Sequence, residues 1–448
     1  MAASLIIWVA SALLILGVLT QRHWDPWLKK AGYDRSAVSW RWYLVGFPAT
    51  ALRMRWRWKQ VCLVNDLSIS RTPTRAVLGD LAVRGTSLRP IPPRLGLPKL
   101  TRTGLVVRVR LQPGQTPHRF VMASEALEHA WRVHRVRVTT PRRGELIMTV
   151  TAGDSLRQPG KNGQVQQEPE PLMSARVGRI EDGGEWLLDL RRVPHWLVVG
   201  ATQSGKSTLV GAWVRRLAPQ PVALVGIDCK GGMELGLMEP RLTALACDRQ
   251  QAIRVLDVLV DVMKTRMAVC RSAQVRSIWE LPEDERPVPI VVLVDELAEL
   301  YLSDGSRESR DEAMQCSTLL LRIAQLGAAL GLHLIVAGQR VGSDLGPGVT
   351  ALRAQLGGRI AHRVNDSSTA EMALGDLSPD AVAVAQSILP GEQGVAVTTV
   401  GARWMRVRSD LMSTEETRAV AARYADQTPR MPALSAAVAG DGEGGEAE

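Results

Sequence analysis

The chain has 448 residues, a net charge of +10 and a pI near 9.8. That length leaves room for two or three domains. The basic balance fits a polyanionic partner or an anionic membrane surface, although 47 arginines against 8 lysines also reflect a coding bias toward Arg. Cys62, Cys229, Cys247, Cys270 and Cys316 form no C-x-x-C pair, which argues against a zinc site or a disulfide framework and for a reducing compartment.

Residues 1–21 carry no charged side chain and are mostly apolar. As a helix they would span roughly 30 Å, about one bilayer core, so an N-terminal transmembrane helix is predicted. Residues 22–60 hold nine Lys/Arg against two Asp and six tryptophans: Trp24, Trp27, Trp40, Trp42, Trp56 and Trp58. Basic and Trp-rich flanks belong at the membrane interface. Positive charge lies only after the span, which predicts a single-pass protein of the cell membrane with the bulk of the chain in the cytoplasm. A signal peptide competes with this reading, but the stretch has no charged start and no clear cleavage site. Residues 43–52 are too short to span and contain Pro48; they lie in the interface or enter as a hairpin. Thus 1–60 read as anchor and juxtamembrane segment, and the Pro-rich 61–100 as a linker or adaptor.

Residues 101–155 read as a small α+β module. Its strands are Leu105–Leu111, Arg135–Val138 and Leu146–Val150, with a helix over Ser124–Trp131 capped by Ser124. Arg108, Arg110, Arg135 and Arg137 alternate with apolar positions, as either a solvated sheet face or a nucleic-acid surface. The polar stretch 156–171 reads as a linker. Residues 172–425 alternate strand and helix, the mark of a mostly parallel α/β sheet. Its candidate strands are Trp196–Val199, Val222–Ile227, Ile290–Val294, Leu332–Ala337 and Val395–Val400. An amphipathic helix follows from Ser413, and 426–448 read as a disordered acidic tail.

Two motifs inside 172–425 carry chemistry. Gly200-Ala201-Thr202-Gln203-Ser204-Gly205-Lys206-Ser207 fits G-x-x-x-x-G-K-[ST] between a strand and a helix beginning at Thr208. The glycines let backbone N–H groups turn toward phosphate oxygens, and the helix adds its N-terminal dipole. Lys206 would reach the β/γ-phosphates and the Ser207 hydroxyl would hold Mg²⁺. The run Ile290–Val294 is a strand apolar on both faces that ends in Asp295-Glu296. Asp295 is placed to hold Mg²⁺ and Glu296 to polarise the attacking water.

With further stretches these motifs resemble the FtsK/SpoIIIE family of DNA-translocating ATPases. Asp189-Leu190 and Pro194–Thr202 are similar to its lead into the phosphate loop. Asp228-Cys229-Lys230-Gly231-Gly232-Met233-Glu234-Leu235 is similar to its Asp-Pro-Lys-Gly-Gly stretch. Leu321–Gln325 with Gly331–Arg340, and Arg359–Val364, are similar to its later signatures. The resemblance implies a RecA-like P-loop NTPase fold that assembles as a hexameric ring around double-stranded DNA, with ATP and Mg²⁺. It also implies that Gln339 senses the γ-phosphate and that an arginine acts on a neighbouring subunit's site. Arg322, Arg340, Arg359 and Arg363 are candidates, with Arg359 favoured. The loops at 303–312 and 341–358 line the pore or are plain surface. Cys229 replaces the family's proline, and Gly338 stands where Thr is usual. The compact chain implies conjugative transfer of a plasmid or integrative element. A secretion ATPase of the type VII kind acting on proteins, a chromosome-segregation pump and a non-hydrolysing ring protein are the competing readings.

Overall fold

The computed structural model describes residues 42–71, 89–101, 103–154, 156–157, 170–375, 379–400 and 403–439. The chain divides into two compact units at residues 155/156. The expected span at 1–21 lies outside the described residues. Among those described, no helix is long and apolar enough to cross a membrane.

In the first unit, a π-helical turn at Trp42–Gly46 leads into α1 (Phe47–Val64), where Pro48 sits at the first turn and needs no N–H partner. β1 (Ile69–Arg71) pairs antiparallel with β2 (Arg89–Ile91). The main sheet comprises β3 (Arg94–Leu95), β4 (Lys99–Leu100), β5 (Gly104–Arg110), β6 (Arg135–Arg142) and β7 (Glu145–Thr151) in the order β3-β5-β7-β6, with β4 also on β5. Two helices, α2 (Pro117–Met122) and α3 (Ser124–Trp131), join β5 to β6. Period-two alternation buries Leu105, Val107 and Val109 of β5 and exposes Arg108 and Arg110. The buried face packs against Met54, Trp58 and Cys62 of α1 and Leu127 and Trp131 of α3.

Three expectations change in this unit. Trp58, expected at a membrane interface, is 6% exposed, and its indole N–H donates to the Pro93 carbonyl at 2.8 Å. Its neighbour Trp56 is 75% exposed. The stretch 61–100 is not only a linker, because Val61, Cys62 and Leu67 enter the core and β3 and β4 extend the sheet. Ser124 does not cap its helix: its hydroxyl donates to the Val121 carbonyl, and Ala123 occupies the cap position.

The second unit is built on one ten-stranded sheet, whose elements follow in chain order. β8 (Ser174–Ile180), β9 (Glu185–Asp189), β10 (His195–Val199), α4 (Lys206–Leu217), β11 (Ala223–Ile227) and β12 (Ala244–Ala246) come first. Next are α5 (Arg249–Ser272), β13 (Ile290–Val294), α6 (Leu297–Tyr301), α7 (Arg307–Leu326), β14 (Leu332–Gly338), α8 (Val349–Gln355) and β15 (Gly358–His362). Last are α9 (Ser367–Leu374), α10 (Pro379–Gln386), β16 (Val395–Val400), β17 (Arg403–Ser409), α11 (Thr414–Arg423) and α12 (Pro432–Val438). The order is β12-β11-β13-β14-β10-β15-β16-β17-β8-β9. Pairings from β12 through β15 are parallel, and those from β15 to β9 antiparallel.

The parallel strands are apolar on both faces because helices cover both. Leu197 and Val199 of β10 belong to the core under α5 and α7, whereas Trp196 and Val198 belong to the one under α4. α4 presents Leu209, Val210, Trp213, Val214 and Leu217 at helical spacing. Asp248 caps α5 by accepting the Gln251 N–H, and Ser413 with Glu416 forms a full capping box on α11.

The expected disordered tail at 426–448 is corrected in its first part. α12 buries Leu434 and Ala437 against α5, and Arg254 of α5 donates to the Ala437 carbonyl at 2.8 Å. Its short apolar face is what composition concealed beside the acidic run 440–448, which lies outside the described residues. The loops expected at 303–312 and 341–358 are partly helical: α7 begins at Arg307, and α8 buries Val349 and Leu352.

Candidate nucleotide site

The site lies at the C-terminal ends of the parallel strands. β14 separates β10 from β13, so the strand ending at Gly338 runs between the phosphate-loop strand and the Asp295 strand. Ligands of open α/β sheets bind at this edge.

The loop after β10 has a forced shape. Gly200 N–H donates to Gly338 and Ala201 N–H to Arg363, which ties the loop's start to β14 and to the end of β15. Gly205 has φ +112°, a conformation that suits glycine. A Cβ there would lie 2.4 Å from the Gly394 nitrogen. The Gly394 N–H donates to the Ser204 carbonyl at 2.9 Å, so the segment before β16 closes over the loop. Lys206 Nζ donates to the Gly200 carbonyl at 2.6 Å, curling back over the loop. Burial pulls the Lys206 ammonium below its ordinary range, while Glu296 and Asp295 work the other way. His362, fully buried at the end of β15 beside the loop, is held neutral by burial, with its pKa near 4.

The carboxylates face this loop. Glu296 is 7% exposed, and its Oε1 accepts the Gln339 backbone N–H at 3.1 Å. Its Oε2 is buried, makes no hydrogen bond and lies 3.7 Å from Lys230 Nζ. Lys230 also sits 3.3 Å from Asp295 Oδ2. Burial raises the Asp295 carboxyl above the usual range; Lys230 opposes that shift and Asp228 adds to it. Asp228, fully buried, shapes the turn that carries Lys230. It accepts the Lys230 N–H at 3.3 Å and the Glu234 and Leu235 N–H groups at 2.9 and 3.1 Å.

These groups line one cleft of about 380 Å³, formed by residues 201–208 with Lys230, Glu234, Asp295, Glu296, Gln339 and Gln393. The volume lies in the range of small-molecule sites. Ala201, Thr202, Gln203, Ser204, Gly205, Lys206, Ser207, Thr208, Asp295, Glu296 and Gln339 are brought together there, with Gly200 at the loop's origin. The Gln339 side chain meets Thr202 Oγ1 at 3.3 Å. Arg359 is not among the lining residues, and its guanidinium donates to the Arg353 carbonyl at 2.6 Å. Arg363 is engaged with its own loop, donating to the Thr202 carbonyl at 3.2 Å. Arg322 and Arg340 are both exposed and lie outside the cleft lining.

The contacts of Lys230 with Asp295 and Glu296 come from the structure. A sequence signal for it exists: it is one of only eight lysines, and it stands in a signature stretch. Glu234 stands in the same stretch without a role that the sequence assigns, and Gln393 reaches the cleft through a chain reversal that carries no spacing signal.

Residues 32–152 match the family described as actinomycete conjugal transfer protein N-terminal domain. Residues 155–281 and 280–343 match the FtsK/SpoIIIE family. The transfer protein TraSA of Streptomyces ambofaciens is 40% identical over 398 residues, covering 86% of this chain and 94% of its own length. A DNA translocase FtsK of Helicobacter pylori is 28% identical over 274 residues, 57% of this chain but 31% of that protein. Among solved structures, the monomer form of the pCW3 conjugation coupling protein TcpA with ATPγS aligns with a TM-score of 0.55 at 19% identity. That alignment covers 85% of this chain and 98% of TcpA and reflects a shared fold.

Proposed function

This chain belongs to the FtsK/SpoIIIE family, with the N-terminal domain of actinomycete conjugal transfer proteins ahead of its ATP-hydrolysing motor, and we propose that it moves double-stranded DNA during conjugative transfer of a plasmid or integrative element. The observation that carries this reading is the single cleft that joins Lys206 and Ser207 to Asp295, Glu296 and Gln339. Its likeness to a transfer protein over most of both chains supports conjugation over chromosome segregation.

The residues present fit Mg²⁺–ATP. The loop's N–H groups, the α4 dipole and Lys206 would receive the triphosphate. Ser207 and Asp295 would hold Mg²⁺, which when bound offsets charge on the β- and γ-phosphate oxygens. Glu296 is anchored through Oε1, leaving its buried Oε2 to orient a water and take its proton. Gln339 touches the loop through its side chain and Glu296 through its backbone, contacts that support its reading as the residue that would report the γ-phosphate to both.

The remaining parts of the proposal are a hexameric ring, an arginine acting on the neighbouring copy's site, and attachment to the cell membrane. Arg359 keeps that role as a proposal about a second copy, and Arg363 does not, because it serves its own loop. The membrane anchor rests on the uncharged residues 1–21 and their basic flank.

The decisive experiment measures ATP turnover by the full chain with and without long duplex DNA. Duplex DNA should accelerate turnover, and Lys206→Ala and Glu296→Gln should each reduce it on the order of 100-fold or more. Absence of stimulation by DNA, with stimulation by a secreted protein's tail peptide, would overturn the DNA reading in favour of a secretion ATPase.

A further inference from the structure

The main sheet of the first unit is covered by helices on one face. Residues directly opposed in an antiparallel ladder share a face. Arg108 opposes Ile147 and Arg110 opposes Glu145 on β7, while Thr149 of β7 opposes both Val106 of β5 and Arg137 of β6. Arg135 opposes Thr151, Arg94 opposes Arg110, and Lys99 opposes Val106. All of these lie on the face away from the Leu105–Val107–Val109 core.

That face therefore gathers Arg94, Lys99, Arg108, Arg110, Arg135 and Arg137, against Glu145 as the acidic strand residue described there. Arg94, Lys99, Arg108 and Arg110 are exposed, and Arg135 and Arg137 are half-buried. A face that serves only solubility mixes both signs of charge. Here one sign dominates, and Thr149 and Thr151 stand between the cations with hydroxyls suited to phosphate oxygens. The opposed strand residues include no aromatic side chain, the kind that anchors a protein at a lipid interface.

We propose that this sheet face binds the phosphate backbone of double-stranded DNA without regard to sequence, as a surface separate from the ATP cleft. The inference rests on the reading of the chain as a duplex-DNA motor and names a DNA surface outside the motor.

The test compares full-length wild type with an Arg108→Gln/Arg110→Gln protein. Binding to a long mixed-sequence duplex is measured by anisotropy from about 50 to about 200 mM salt, a range over which binding to phosphates weakens steeply. The slope of log K against log salt should become shallower by about 1.8, roughly 0.9 for each phosphate that is no longer neutralised. DNA-free ATP turnover and the melting temperature should not change, and Arg108→Lys/Arg110→Lys should restore the slope. Equal slopes with normal wild-type DNA binding overturn this proposal and leave the motor reading intact. An unchanged DNA slope with abolished binding to vesicles of anionic phospholipid also overturns it and assigns the face to a membrane. A wild-type chain that binds no duplex DNA sinks the motor reading, and this proposal with it.

Discussion

Replacing Lys230 by Met should move the acid limb of ATP turnover to higher pH. Lys230 sits 3.3 Å from Asp295 and 3.7 Å from Glu296. Its own burial lowers its pKa, but the two carboxylates outweigh that and hold it above its ordinary value. Two unit charges at 3.3 Å interact by about 5 kcal/mol at an effective dielectric of ~20. The Lys230 side chain is 37% exposed, so solvent screening cuts this to about 1–2 kcal/mol, or roughly one pKa unit. The sign follows from charge: removing the cation destabilises the Asp295 carboxylate, so its pKa, already raised by burial, rises further. In the proposed mechanism Asp295 would hold Mg²⁺ as a carboxylate, so kcat/KM for ATP should fall off about one pH unit earlier on acidification. The assay is kcat/KM at fixed Mg²⁺ between about pH 5 and 9, which reports the free enzyme's titrating groups. Lys230→Arg should keep the wild-type limb. Superimposable limbs for wild type and Lys230→Met would refute the electrostatic argument.

Three more outcomes follow from the geometry. His195, His333 and His362 are buried, with pKa values lowered by burial to about 4, about 3 and about 4. They stay neutral when folded but titrate near 6.5 when unfolded, so their contribution is fully present above about pH 6.5 and is lost as pH falls toward their folded values. Each should cost about 2 kcal/mol by pH 5, read as a lower urea midpoint; a midpoint unchanged between about pH 7.5 and 5 would contradict neutral burial. Gly205→Ala places a methyl group against Gly394 at a positive φ and should weaken binding of a fluorescent ATP analogue by about tenfold or more, with retained affinity counting against the clamp. Leu434→Ala should lower stability by about 2–4 kcal/mol in thermal or denaturant unfolding, whereas a free tail would show no effect.

The motor was legible where one local rule sufficed. The apolar run 290–294 forms β13 with the predicted bounds, and 395–400 forms β16. The phosphate-loop pattern locates its site because the glycine spacing is itself the geometry. What stayed hidden depends on distant partners. β12 has only three residues and is held by β11, and the antiparallel extension from β16 to β9 returns to a segment more than 200 residues earlier in the chain. Trp58 reads as interfacial because its neighbours are Arg57 and Lys59, yet helical geometry turns it inward onto Trp131 while Trp56 points out. Arg359 stands out by its signature alone, and its bond to the Arg353 carbonyl is a local detail that no spacing encodes.

The grip of Gly394 on Ser204 joins two regions that the strand order keeps apart. The loop that meets the triphosphate is fastened, through β16, to the outer antiparallel ribbon rather than only to its own strand. The loop's backbone position is therefore set by the segment ahead of β16 as well as by β10, so the antiparallel half of the sheet shares in shaping the cleft.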